Sequence, residues 1–342
     1  MTTPFAVRTN RVDRDGLETY RRELTGHCYR MLGSPADAED AVQEVMIRVM
    51  RSGDTFEGRS SLRSWLYRIA TNVCLDQLRG RSRRALPAGL GPASPPSAEH
   101  FGAMLPEHAW VSPVADERVV PDHGDPAEIA AARESVRLAF VTALQHLPPR
   151  QRAMLLLCQV LRFEAAEVAA QLATTTGAVN SALQRARATL AALPADRRPA
   201  EVTSDNADLL ARYMDAFERY DIDALVRLLH DDAVQSMPPY EMWLSGAADI
   251  GTWMLGPGIG CRGSRLLPTR ANGCPAFGQY RVDPAGGHTA WALHVLEASA
   301  GRVATVYAFL DTERLFPLFG LPGHLPAERR AAADDFAARG AS

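Results

Sequence analysis

The chain contains no lysine, so all 37 of its lysine-plus-arginine positions are arginines. Its five cysteines stand singly, an odd number without a CxxC pair, which argues against a disulfide framework and against a zinc site. No apolar run approaches the roughly 20 residues that cross a bilayer, and the first residues have no apolar stretch behind their positive charges. We therefore expect a cytoplasmic protein without metal, cofactor or membrane contact.

Acidic and basic residues are segregated along the chain, although the formal net charge is only −3. Between residues 59 and 84 there are seven arginines and one acidic residue, Asp76, whereas residues 85–134 are mostly acidic. A basic segment beside an acidic one is typical of a multi-domain nucleic-acid binder. The length of 342 residues and a hydrophobic fraction of 46% predict two or three globular domains.

Residues 13–84 predict a bundle of helices, with apolar stripes at spacings of three and four. Ser34 followed by Pro35 is typical of an N-cap and a first helical position. A third helix is predicted to begin near Ser61. It carries Trp65 on its apolar side, where an aromatic residue is usually part of a core.

The rest of the chain divides into four parts. Residues 85–126 are rich in proline, glycine and acidic groups and predict a linker too irregular for a packed element. Residues 127–193 return to helical periodicity, and residues 204–320 predict an α+β domain before a C-terminal tail, 321–342. In the α+β domain we predict two helices, at 206–219 and 223–229, and five strands, at 233–236, 264–270, 276–282, 289–297 and 302–310.

The segment RFEAAEVAAQLATTTGAVNSALQRARATL predicts a helix-turn-helix. Thr175 can cap its second helix, whose amino end then approaches a phosphate while its outer side chains enter the major groove. Those outward side chains are Asn180, Ser181, Gln184, Arg185 and Arg187. Asparagine and glutamine can pair with adenine, and arginine with guanine or a phosphate. The alternative interpretation is a surface helix of an ordinary bundle with solvated polar residues.

The segments LPPRQRAMLLL, EVAAQL and TTTGAVNSALQRAR resemble region 4 of the sigma-70 family, in its extracytoplasmic-function (group IV) branch. DAEDAVQEV and FEGRSSLRSWLYRIATNVCLDQLR resemble region 2 of the same branch, and the two motifs occur in the family's order. The resemblance covers residues 15–193, and a paired match is more specific than a lone helix-turn-helix. Asn180 departs from the family, which usually has a basic residue there, so the preferred promoter stays open.

The resemblance implies a multi-domain fold with two all-α sigma domains, region 2 at 13–84 and region 4 at 127–193. It also implies two partners, promoter DNA and core RNA polymerase, the latter contacted at the β′ clamp helices and the β flap. In the family, the acidic segment that corresponds to residues 85–126 threads through the polymerase, where acidity suits nucleic-acid mimicry. The alternative for that segment is a flexible tether whose composition hardly matters.

A polymerase-docking patch is predicted on the second helix of region 2. It consists of residues at spacings of three and four: Asp40, Gln43, Glu44 and Ile47. An acidic patch with an apolar edge suits a partner helix, and in the family the positions that match Asp40 and Gln43 dock the β′ clamp helices. The alternative interpretation is a solvated acidic face.

Promoter opening requires a surface that prefers unpaired bases, because melting costs stacking energy. In the family this surface holds the minus-ten element. Phe56 offers a ring for stacking and Asn72 an amide for a base edge. The arginines that could contact the backbone are Arg59, Arg63, Arg68 and Arg79. Each of these residues could instead be structural or merely solvated.

The segment SDNADLLARYMDAFERYDIDALVRLLHDDAVQSMPP resembles the opening of the SnoaL-like, nuclear transport factor 2-like fold. This implies a cone-shaped α+β domain around a cavity, in a fold whose members include isomerases, cyclases and proteins that only bind. Candidate pocket residues are Asp231, Asp232, Tyr240, Trp243, His288 and His294. No acid/base pair with a recognisable spacing emerges, so we expect no catalysis. Sigma factors with such an appended domain imply regulation by contact with the sigma domains or polymerase.

The leading prediction is a sigma factor that binds core RNA polymerase and directs promoter-specific initiation, with an anti-sigma protein as a further candidate partner. One alternative is a one-component helix-turn-helix regulator with a ligand-sensing C-terminal domain, which would bind duplex operators without polymerase. Another is a SnoaL-like enzyme fused to a helical module. The first domain favours the sigma factor, because an operator-binding regulator has no use for a clamp-docking surface.

Overall fold

The computed structural model describes residues 17–52, 61–193 and 207–327. Within these ranges, the first helical domain contains three helices, α1 (Arg21–Leu32), α2 (Pro35–Ser52) and α3 (Leu62–Gln77). The Ser34 hydroxyl accepts a hydrogen bond from the Asp37 amide at 3.3 Å, and the Ser61 hydroxyl accepts one from the Ser64 amide at 3.1 Å. Both predicted helix starts are therefore confirmed. Trp65 is buried, as expected of a core residue.

The segment between the helical domains contains the short helix α4 (Asp116–Val119) and three single turns of 3₁₀ helix. The expectation that it is too irregular to pack is wrong, because its apolar side chains are buried. These are Trp110, Val111, Val114, Val119 and Val120. The amide of Ser112 also donates to the carbonyl of Gly33 at 2.9 Å. The sequence WVSPV supplies enough apolar surface to fix an irregular backbone against the first domain.

The second helical domain contains five helices. They are α5 (Pro126–Val136), α6 (Leu138–Gln145), α7 (Pro149–Leu155), α8 (Ala165–Gln171) and α9 (Thr176–Ala191), with a π-helical turn at Leu156–Val160. Helices α8 and α9 form the predicted helix-turn-helix, in which Val168, Val179, Leu183 and Ala186 are buried. Across the described ranges, none of the helices combines the length and the apolar character needed to cross a bilayer.

The C-terminal domain is α+β, as predicted. Its helices are α10 (Ala207–Glu218), α11 (Ile222–Leu228), α12 (Ala247–Leu255) and α13 (Thr312–Leu318). Its strands are β1 (Leu229–Ser236), β2 (Trp243–Ser245), β3 (Arg265–Ala271), β4 (Cys274–Val282), β5 (His288–Ser299), β6 (Arg302–Phe309) and β7 (His324–Leu325). All five predicted strands are present. The prediction missed the strands β2 and β7, which are too short to show alternation. It also missed the helices α12, whose sequence is almost wholly apolar, and α13, which contains a proline, Pro317.

The sheet has the strand order β2-β1-β6-β5-β4-β3, with β7 paired to the start of β5. Its two faces contact different parts of the molecule. Phe277 and His294, which are register partners, lie on the face we call the inner face, where Phe277 contacts the Tyr213 ring of α10 at 5.8 Å between centroids. Ala276 and Val295 are also register partners and lie on the opposite, outer face. The inner face belongs to a buried cluster with α10–α12, and the outer face to a cluster that continues into both helical domains.

Candidate polymerase and DNA interfaces

The acidic patch on α2 is exposed. Asp40 and Gln43 are open to solvent, and Ile47 retains 37% of its accessible surface. Glu44 forms an ion pair with Arg48 at 2.8 Å. Met50, three residues beyond Ile47 and 59% exposed, extends the apolar edge of the patch. Acidic side chains beside an exposed apolar edge form the kind of surface that a partner helix covers.

The candidate minus-ten residues on α3 fall into two groups. Arg68 and Asn72 are exposed and lie one helical turn apart, so they share one face. Arg79, just beyond the helix, is also exposed and forms an ion pair with Asp76 at 3.3 Å. Phe56 and Arg59 lie outside the described residues.

Arg63 occupies a different environment, at the contact between the two helical domains. Its guanidinium lies over the rings of Tyr67 and Phe163, 5.0 and 5.1 Å from their centroids, and forms an ion pair with Glu23 at 3.3 Å. Phe163 belongs to the second helical domain. In this arrangement, therefore, Arg63 contacts protein where the sequence suggested a DNA backbone.

The recognition helix α9 presents all its candidate DNA-reading side chains to solvent: Asn180, Ser181, Gln184, Arg185 and Arg187. The Thr175 hydroxyl accepts a hydrogen bond from the Ala178 amide at 3.2 Å, which is the N-cap predicted from the sequence. Arg150 of α7 donates to the Leu172 carbonyl at 2.8 Å and so fixes the turn between α8 and α9. The sequence did not indicate that role for Arg150.

Polar contacts join the two helical domains directly. Arg152 of α7 is 3% exposed and donates to the Met31 carbonyl of α1 and to the Gln145 side chain. Met31 lies in the last turn of α1, where the helix dipole favours a cation. Burial lowers the pKa of Arg152 to about 10, so it stays protonated at neutral pH. Gln171 of α8 also donates to the Ser64 hydroxyl of α3 at 2.9 Å.

The turn between β3 and β4, which we call the hairpin tip, consists of Asn272 and Gly273. Both residues have positive φ, 55° and 71°, as an Asn-Gly hairpin turn requires. The Asn272 amide group donates to the Tyr29 hydroxyl at 2.6 Å and to the Val136 carbonyl at 2.7 Å, and its oxygen accepts from the Val114 amide at 2.9 Å. One buried side chain thus joins α1, the intervening segment and α5.

Gly273 and Asp116 complete the hairpin contact. The Gly273 amide donates to the Asp116 carboxylate at 2.7 Å, and Arg270 forms an ion pair with that carboxylate at 3.2 Å. A Cβ at Gly273 would lie 2.5 Å from the Arg133 carbonyl oxygen, so only glycine fits. Burial raises the pKa of Asp116, although the hydrogen bond from Gly273 and the charge of Arg270 oppose that rise.

Glu297 on the outer face makes a second contact with the second helical domain. Its carboxylate accepts a hydrogen bond from the Ala139 amide at 3.4 Å, in the first turn of α6, where the helix dipole favours an anion. The Tyr307 hydroxyl donates to the other oxygen at 3.3 Å. Burial raises the pKa of Glu297, against the opposing effects of the Ala139 amide, Arg137 and Tyr307.

Four of the six candidate pocket residues, Tyr240, Trp243, His288 and His294, have separate surroundings. Trp243 donates to the Gly91 carbonyl at 3.1 Å, and the Tyr240 ring contacts the Phe101 ring at 4.7 Å, so both contact the 85–126 segment. His288 is hydrogen-bonded to the carbonyl of residue 263. His294 is considered separately below. No hydrogen bond or ring contact joins these four side chains in the part of the chain that the structure describes.

His294 is part of the core of the inner face. Its ring stacks on Phe277 at 4.7 Å between centroids, and Nε2 is hydrogen-bonded to the Gln279 side-chain oxygen at 2.8 Å. Burial, with a smaller effect of Arg281, lowers the pKa of His294 to about 3. The imidazole is therefore neutral at pH 7. Asp231 and Asp232, the other candidates, have highly exposed side chains.

A three-helix domain with an exposed acidic patch, a helix-turn-helix and a helix-covered curved sheet define a multi-domain DNA-binding protein of the initiation-factor class. Three family models match in the same order. They are Sigma-70 region 2 at residues 17–84, Sigma-70, region 4 at 137–190, and SnoaL-like domain at 210–306.

The chain is 51% identical over 315 residues to the ECF RNA polymerase sigma factor SigG of Mycobacterium tuberculosis, covering 90% of this chain and 83% of SigG. It therefore belongs to the extracytoplasmic-function branch of the sigma-70 family. It is 32% identical to SigJ of the same organism over 63% of this chain and 61% of SigJ. The crystal structure of SigJ matches with a TM-score of 0.59 at 23% identity, over 91% of this chain and 100% of that one, which supports the fold.

Proposed function

We propose that this chain brings core RNA polymerase to promoters through the α2 patch, and that its C-terminal domain holds the two sigma regions in a closed arrangement. The proposal that the C-terminal domain holds the sigma regions together rests on the hairpin tip. Its Asn272 side chain is hydrogen-bonded to both sigma regions and to the segment between them. The domain is thereby placed to control the distance between the two DNA-reading helices.

In the closed arrangement, the two sigma regions are too close together to reach both elements of a promoter. Elements centred near minus ten and minus thirty-five are separated by roughly 25 base pairs, or ~85 Å of B-form DNA. A compact chain of this length has a radius of gyration of about 20 Å and a diameter of roughly 50 Å. Moreover, α3 and α8 are joined by the bond between Ser64 and Gln171. The sigma regions must therefore separate before both elements are bound.

The closed arrangement nevertheless leaves the first contacts accessible. The α2 patch and the outer side chains of α9 are exposed. Polymerase could therefore dock on region 2 first, and opening would then release Arg63 from Phe163. An anti-sigma protein remains a candidate partner, which would compete with polymerase for the patch.

The filled inner face supports a regulatory, non-enzymatic role for the SnoaL-like domain. Tyr213 and Phe217 of α10 contact Phe277, and a neutral, stacked His294 is a poor proton shuttle near pH 7. Duplex binding without polymerase would favour a one-component regulator instead. A gel-shift titration of the full-length chain, with and without core enzyme, distinguishes these two functions.

A transcription assay with purified core polymerase tests the docking patch. Asp40→Arg places a cation where the family docks the clamp helices, so we expect the promoter-specific transcript and core binding to fall at least tenfold. Glu313→Arg is the matched control, because Glu313 is exposed on the C-terminal domain. Equal core binding by Asp40→Arg and by the unmodified chain would contradict the proposed docking surface.

A further inference from the structure

A cavity of about 1570 Å³ lies between the two sigma regions. Helices α1 and α3 line one side, and α5, residues 117–123 and the turn at 159–162 line the other. The closed arrangement therefore creates this cavity, and separation of the regions would remove it.

Arg30 of α1 lines this cavity and is 6% exposed. Its Nε donates to the Ser135 hydroxyl at 3.1 Å. Among the described residues, no carboxylate lies within 4 Å of its guanidinium nitrogens, and its two terminal nitrogens form no hydrogen bond with the protein and keep some solvent access. Four of the six other arginines of the cavity wall form ion pairs, Arg21 with Glu18, Arg22 with Asp122, Arg63 with Glu23, and Arg118 with Glu39.

A largely buried cation without an ion-pair partner is costly, because burial removes part of its hydration. Burial accordingly lowers the pKa of Arg30, although the nearby Tyr67, Cys28 and Glu23 oppose that fall. A planar guanidinium matches the two oxygens of a carboxylate or phosphate better than any other group. The cavity wall also contains apolar side chains that could contact the rest of a ligand, namely Val42, Val119, Phe140, Val160 and Leu161.

We propose that this cavity binds a small organic anion, a carboxylate or a phosphate, whose oxygens accept hydrogen bonds from the terminal nitrogens of Arg30. Because both sigma regions form the wall, the bound anion stabilises the closed arrangement and lowers transcription. That consequence for transcription rests on the function proposed above. Binding itself does not, since the free chain already has the cavity.

Binding to the full-length chain is measured without polymerase, by calorimetry and thermal unfolding, with inorganic phosphate and with octanoate. Sodium chloride at equal ionic strength is the reference. We expect saturable binding of at least one anion and a rise in Tm of about 4 °C at roughly a hundredfold excess over Kd. The phosphate and octanoate arms show which oxyanion is preferred.

Arg30→Gln should weaken binding at least tenfold, whereas Arg212→Gln, which removes an exposed helical arginine of the C-terminal domain, should leave Kd unchanged. Arg30→Lys keeps the positive charge but loses the planar pair of terminal nitrogens, so this variant should also bind the anion more weakly. Should Arg30→Gln fail to fold, hydrogen exchange of the unmodified chain provides the readout, with protection expected at residues 26–32 and 130–137. No anion binding above the chloride reference, unchanged Kd in a folded Arg30→Gln, or protection elsewhere would overturn the proposal.

Discussion

The two faces of the C-terminal sheet are built by alternate residues of the same strands, yet they have different partners. On the inner face, Phe277 and His294 pack against the helices of their own domain. On the outer face, Glu297 contacts α6, while the hairpin tip at the end of β3 contacts α1 and α5. The stability of the domain and its hold on the sigma regions thus depend on different side chains, and mutations can separate them.

The largest effect is expected on the inner face. Phe277→Ala removes a fully buried ring and leaves a cavity, so the C-terminal domain should lose about 3 to 5 kcal/mol. Denaturant unfolding followed by tryptophan fluorescence measures this loss. A domain of unchanged stability would show that the inner face is not its core. Because an unfolded domain cannot hold the sigma regions, transcription should also rise.

Asn272→Ala tests the contacts between the C-terminal domain and the sigma regions without changing the fold of that domain. It removes three hydrogen bonds to the sigma regions and the connecting segment, so the closed arrangement should lose about 2 kcal/mol, roughly thirtyfold in the closed-to-open equilibrium. The distance between fluorophores on α2 and α9 should increase, and transcription should rise. Gln279→Ala is the matched control, because the Gln279 side chain is hydrogen-bonded to Ser264 and His294 of its own domain and, within the described ranges, to no residue of the sigma regions. Equal distances in both variants would contradict the proposed role of the hairpin tip.

The stability of the inner face should depend on pH through the buried His294. Burial lowers the pKa of His294 to about 3, below the unfolded value of 6.5. The unfolded chain therefore binds more protons between those values, and stability is lost as the pH falls below about 6.5. The loss from this one residue should reach about 2 kcal/mol at pH 5. Urea unfolding at pH 7 and pH 5 measures it.

His294→Gln should remove the part of the pH dependence of stability that comes from His294. This expectation holds whatever the substitution does to stability at pH 7. His27 in α1 has a pKa that burial, with a smaller effect of Arg30, also lowers to about 3, and its contribution should remain. The same pH dependence in His294→Gln and in the unmodified chain would mean that His294 is not neutral in the fold.

The smallest effect is expected at the DNA surface, away from both faces of the sheet. Gln184→Ala on α9 removes one of the side chains that we propose to contact bases. Binding of the holoenzyme to its preferred minus-thirty-five element should therefore weaken about tenfold, or ~1.4 kcal/mol. Competition with DNA that is substituted at single positions measures it. A uniform loss on every sequence would instead indicate a phosphate contact.

Local patterns were sufficient to predict much of this structure. Ser34 and Ser61 indicated two helix starts, Thr175 a cap, and the spacing of the outward residues of α9 a recognition surface, all of which depend on neighbours within four residues. We did not predict the hairpin tip from the sequence, although an Asn-Gly pair between two strand patterns is typical of a tight turn. What the turn contacts was not readable.

Sequence patterns alone were enough to predict the order of the three domains, the class of fold of each and the helices on which we propose the polymerase and DNA surfaces. Only the tertiary structure decided that Arg63 and Arg152 lie between the sigma regions, that residues 85–126 pack, and that Asn272 bonds to both helical domains. The physical reason is distance along the chain. Periodicity and helix caps reflect contacts between residues that are a few positions apart. Tyr29 and Asn272 are separated by more than two hundred residues, so no local pattern predicts their hydrogen bond.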